Sequence, residues 1–233
     1  MNFEHIERKK YRRSFLQQVE LMVEYPQVKD FEDKLDILMV SFEGQGGFWE
    51  KGYKKLIFKS IDAYFRLLIT NKFMAIQTDC QGYRGFETML CLFDNCRRML
   101  DILCEGDFLK VQLRKINILP FQKKGEGPSI EILNEMFSDS LRCTQFGKSQ
   151  LEQEVKSYYT DCCFEHEKGT IYLKYGFDSM RDNDRYVFVV LDTTMLSRAC
   201  EKQKAHEVLS QLNEILFDVF HWAVTDNIIK EME

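Results

Sequence analysis

The densest run of side chains able to do chemistry is Arg8-Lys9-Lys10-Tyr11-Arg12-Arg13, five positive charges around one aromatic ring. Cations at this spacing can hold phosphates while Tyr11 stacks on a base. The plainer alternative is a solvated N-terminal arm whose charges meet acidic residues such as Asp30, Glu32 and Asp33. Lys110, Arg114 and Lys115 would extend the basic surface if their strand lies beside the first strand of the chain.

A second group, Cys162-Cys163-Phe164-Glu165-His166-Glu167, gathers metal-ligating residue types. On a strand, Cys162, Phe164 and His166 point to one side, and Cys163, Glu165 and Glu167 to the other. They do not converge on one ion without a bulge, and no second Cys-x-x-Cys or His-x-x-x-His pair completes a tetrahedral site. Neither a metal nor a cofactor is expected. Cysteine catalysis requires a thiolate beside a histidine, and none of the eight cysteines stands in a local signature of that kind. Gly44-Gln45-Gly46-Gly47 is not followed by the Lys-Ser/Thr of a phosphate loop and reads as a turn. Asn117 and Asp192 remain. Each is placed near the end of an apolar strand, where its side chain bonds backbone amides or caps a helix. The functional alternative is a polar pair at the junction of two halves of the chain, engaging a ligand.

The elements that must position these residues follow from apolar periodicity. Val19, Leu21, Val23 and Tyr25 alternate with polar neighbours as in a half-buried strand over Gln17–Tyr25. Phe31, Leu35, Leu38, Met39 and Phe42 fit a short helix, with a strand over Leu35–Phe42 as the competing reading, followed by strands at Lys54–Lys59, Ala63–Thr70 and Lys72–Thr78. A long helix then runs from Phe86 to Leu103. The order begins again at Leu109–Leu119, a strand with a bulge expected near Arg114-Lys115 and ended by Pro120. Gln122–Pro128 is a loop, Ser129 opens a short helix through Phe137, and Cys143–Glu154 fits no single element. Tyr158–Glu167 and Thr170–Phe177 form a hairpin turned at Lys168-Gly169, and Tyr186–Leu191 is a strand apolar on both faces. The final helix buries Leu209, Leu212, Leu216, Val219 and Phe220 and turns Glu207, Gln211, Glu214, Asp218 and His221 outward.

This pattern predicts an α+β fold of two similar halves, 1–106 and 107–233. Each half reads strand, short helix, about three antiparallel strands, long helix. Joined edge to edge, the halves would make one continuous curved sheet with helices on one face, analogous in topology to the saddle of TATA-box-binding protein. The analogy carries no function.

The 45% hydrophobic and 30% charged residues suit a globular chain with a real core. A net charge of −5 argues against a broad nucleic-acid surface while leaving room for a local basic groove. No apolar run approaches the ~18 residues that cross a bilayer, and Met1–Glu7 is charged where a signal peptide is apolar. The expectation is a cytoplasmic protein without membrane contact, its cysteines reduced.

Leu113-Arg114-Lys115-Ile116-Asn117, Leu191-Asp192 and a final helix with Leu212-Asn213-Glu214, Phe220 and Thr225-Asp226 together resemble a sporadically distributed bacterial family of unknown function. The likeness spans most of the chain and departs at Lys115, where that family more often carries an aromatic. It implies no activity, and its patchy distribution points to mobile or defence-linked genes. The functional expectation is therefore a non-enzymatic binding or interaction module, taking a protein partner or a second copy through a strand edge or its aromatic residues. The alternative is a nucleic-acid or nucleotide binder, and a third reading is an enzyme whose site assembles only in three dimensions. The ligand-contacting candidates are Arg8, Lys9, Lys10, Arg12, Arg13, Arg114, Asn117 and Asp192.

Overall fold

The computed structural model describes residues 3–8, 11–42, 46–62, 64–122, 129–141, 155, 157–178 and 186–233. Lys9 and Lys10 of the basic run, the ambiguous Cys143–Glu154 segment and most of the Gln122–Pro128 loop lie outside the described residues. The protein is mixed α+β, and its described residues form ten strands in one sheet, every pairing antiparallel, and six helices.

In the first part of the chain, β1 (Leu16–Glu24) and α1 (Leu35–Ser41) precede β2 (Gly47–Gly52), β3 (Lys55–Ser60), β4 (Arg66–Thr70) and β5 (Phe73–Asp79), and α2 (Phe86–Asn95) and α3 (Arg97–Leu103) follow. The second part begins with β6 (Phe108–Gln122) and α4 (Ser129–Met136). It continues through β7 (Ser157–His166), β8 (Gly169–Asp178), β9 (Tyr186–Ser197) and the short β10 (Cys200–Glu201) to α5 (Ala205–Ala223) and α6 (Asp226–Met232). The spatial order is β2-β3-β4-β5-β1-β6-β9-β8-β7, with β10 also pairing to β6. The two opening strands, β1 and β6, thus lie side by side in the middle of the sheet.

Register sorts the side chains. Leu21 stands opposite Ile76 on one side and Leu113 on the other, and the row continues through Met195 and Ile171. All of these are buried, and α5 packs across β6 and β9 on that face. Each large apolar side chain removed from water there stabilises the fold by roughly 1.5–3 kcal/mol. The alternate residues, among them Gln18, Glu20, Gln112, Arg114, Asp192 and Lys174, project from the opposite, polar face.

Several expectations change. A strand at Gly47–Gly52 was hidden, because its glycines and charges break the apolar alternation; its place at the sheet edge makes alternation unnecessary. The long helix over Phe86–Leu103 divides at Cys96 into α2 and α3. The bulge lies not at Arg114-Lys115 but in β1, between Leu16 and Gln18. Pro120 does not end β6, which runs on to Gln122 against β9. The Ile118 N–H donates to the Phe15 carbonyl, so the N–H that Pro120 lacks would face the same side, beyond the start of β1, where no ladder bond is lost. The hairpin turn is Glu167-Lys168, with Gly169 already in β8 opposite Ser197, where a Cβ at that glycine would strike the Leu196 carbonyl.

Candidate functional site

The N-terminal arm is docked rather than solvated. The Phe3 ring meets Trp222 of α5 edge-on at 5.4 Å, and Asp218 of the same helix accepts from the Ile6 N–H at 3.1 Å and contacts His5 at 3.3 Å. Tyr11 donates its hydroxyl hydrogen to His221 Nε2, a direction set because His221 Nδ1–H donates to the Phe217 carbonyl at 2.8 Å. The Arg12 and Arg13 N–H groups both donate to the Met232 carbonyl, at 2.9 and 3.1 Å, satisfying a carbonyl in the last turn of α6. Asp218 and His221, expected on the solvent side of the last helix, are therefore covered by the arm.

Two of the acidic partners expected for the arm, Asp30 and Glu32, are engaged elsewhere. Asp30 pairs with Lys34 at 3.2 Å, and Glu32 accepts from the Lys54 N–H at 2.8 Å. Arg8, Arg12 and Arg13 are exposed, and among the described residues none of them forms an ion pair with a carboxylate. The Arg13 guanidinium lies 5.3 Å from the Phe15 ring centre.

Arg13 also borders a groove of about 440 Å³ whose floor is Ile118, Pro120 and Phe188, with Phe15 and Gln17 at its side. Pro120 and Phe188 are register partners, so the floor belongs to the polar face of the sheet at its centre, just beyond the start of β1, where β6 continues against β9. One cation, Arg13, on the wall and an apolar floor together suit a ligand carrying both negative and apolar groups.

No protein-family model matches the chain, and no curated protein does.

The three strand candidates do not converge. Arg114 and Asp192 meet on the polar face, Arg114 Nε to Oδ1 at 2.9 Å and Nη2 to Oδ2 at 2.6 Å. Asn117 stands opposite Leu191 and Asp192 opposite Ile116, so Asn117 is buried on the helix-facing side while Asp192 faces away from it. Neither caps a helix, because both lie within their strands. Lys115 likewise turns away from Arg114, into a row with Val19 and Thr193. Burial, and secondarily the Arg8 charge, pull its amine down to about 7. Strand parity makes this inward lysine legible, given the true β6 register; the bulge expected at Arg114-Lys115 obscured it.

Cys162 and Cys163 stand opposite Leu173 and Tyr172 and so face opposite sides of β7. Among the described residues no three of His, Cys, Asp and Glu gather as metal ligands. Among the described residues no helix is long and apolar enough to cross a membrane.

Proposed function

We propose that this chain is a non-enzymatic interaction module that receives an extended protein segment, bearing acidic and apolar residues, in the central groove. The observation that carries this reading is the apolar floor of Ile118, Pro120 and Phe188 beside Arg13, whose charge meets no carboxylate among the described residues. Arg12 adds a second exposed cation at the same end of β1. An extended segment there gains apolar contact from the floor and charge-assisted hydrogen bonds from the arginines. Arg114 is satisfied by Asp192 and contributes rigidity to the neighbouring surface rather than a free charge. Residues 1–106 and 107–233 are read as related halves. The support is their mirrored strand orders, β1-β5-β4-β3-β2 and β6-β9-β8-β7, on either side of the central β1–β6 pair.

A second reading is favoured by the same exposed arginines: a single-stranded nucleic acid with phosphates on Arg8, Arg12 and Arg13 and a base on the apolar floor. Native mass spectrometry of the chain purified from its own host, at low and high salt, separates the two. A protein partner retained at both salts, and lost from the Arg12→Glu/Arg13→Glu variant, supports the first reading. Salt-labile nucleic acid replaces it with the second, and a partner retained equally by the variant removes the groove as its site.

A further inference from the structure

A second concavity lies where β3 and β5 end and β4 begins, at the same end of the sheet as the central groove but sharing none of its lining residues. It is a cleft of about 370 Å³ between the β3–β4 connection and α2, within the size range of small-molecule sites. Ile61, Phe65, Met89 and Leu92 supply its apolar lining, and Arg84 and Asp62 its charged groups. Ile61 is 73% exposed, and Phe48 and Tyr64 nearby are 52% and 36% exposed, so large apolar side chains meet water together around this one place. Such a cluster on a protein surface marks a binding site more often than a single exposed residue does.

The polar groups indicate the sign of the ligand. Arg84 holds its guanidinium 4.1 Å from the Tyr64 ring centre, and among the described residues it forms no ion pair. That stacking fixes the fork in place before any ligand arrives. Tyr83 forms part of the inner wall; burial pushes its phenol up to about 12, with the charges of Arg8 and Glu87 acting on it in opposite directions. Asp62 also borders the cleft and opposes a head group of high negative charge. The shape is set by a close backbone approach: a Cβ at Gly82 would collide with the Tyr64 carbonyl oxygen, so only glycine lets the Tyr64 segment seat against the end of β5.

We propose that this cleft binds a small amphiphilic carboxylate, with its singly charged head on Arg84 and its apolar body among Ile61, Phe65, Met89 and Leu92. Isothermal titration of the full chain with octanoate, octylamine and octan-1-ol tests it. Octanoate should saturate one site and exceed both comparators, and Arg84→Met should weaken octanoate by about tenfold or more, the loss expected for a charge-assisted contact. Ile61→Ser should weaken all three probes, and Arg12→Ala/Arg13→Ala should leave octanoate binding unchanged. Arg84 and Ile61 are exposed, so an unaltered melting temperature shows that these variants are folded. Absence of saturation at about millimolar octanoate, octylamine binding as tightly as octanoate, or octanoate binding indifferent to Arg84→Met would each overturn the proposal. So would loss of binding in the arm variant, which would move the ligand to the central groove.

Discussion

Arg114 on β6 and Asp192 on β9 form a two-pronged ion pair across adjacent strands, with the shorter prong at 2.6 Å and the carboxylate side chain only 14% exposed. The guanidinium that appeared in the sequence as an extension of the basic arm is thereby neutralised within the sheet. Replacing Asp192 by Leu should cost about 1–3 kcal/mol, because it leaves a partly buried cation without its acceptor. The Arg114→Met/Asp192→Leu double variant should recover most of that loss. Urea midpoints of the wild type, Asp192→Leu, Arg114→Met and the double variant measure the coupling, and additive losses would show that the pair is energetically idle.

Lys115 makes the fold sensitive to alkaline pH in an unusual direction. Its folded-state value of about 7 lies below the roughly 10.4 of an unfolded lysine, so between these limits the unfolded chain binds more protons. This residue's contribution to stability therefore rises with pH across that window and is lowest below about 7, where the charged form is buried. Lys115→Met should raise the melting temperature near neutral pH and flatten its rise between about pH 7 and 10. An unchanged pH profile in the variant would assign the dependence to other groups.

The arm should behave as part of the folded domain. Asp218→Ala removes the acceptor of the Ile6 N–H and the partner of His5, and should cost about 1–2 kcal/mol. It should also free the segment before Tyr11 to proteolysis and shift Trp222 emission to the red, since Phe3 leaves its ring. Retention of the wild-type emission and cleavage pattern would mean that the aromatic contacts alone hold the arm.

Thiol accessibility offers a check on the packing. Cys80, Cys91 and Cys163 are exposed and should react promptly with a disulfide reagent in native buffer. Cys96 is buried, and burial pushes its thiol up to about 12, so it should react only on unfolding. Rapid native labelling of Cys96 would contradict the seating of the α2–α3 junction against the core.

Periodicity alone determined most of the elements: the alternating strand through Leu21, the short helix before Phe42, the hairpin of β7 and β8, and the long final helix. These are local properties, since a repeat of two or of about 3.6 residues states which side chains share a face. It also anticipated a single sheet joining the two parts of the chain. What it did not determine is which polar residues meet. Arg114 and Asp192 lie far apart in sequence and come together only through the β6–β9 register, while Asn117 is sent to the opposite face by the same one-residue parity. The arm's place on Asp218 and His221, the inward turn of Lys115 and the cleft beside Arg84 likewise depend on contacts between distant segments. Charge and residue type within one stretch identify what a side chain can do, and only the register and packing of the whole sheet decide which group faces it.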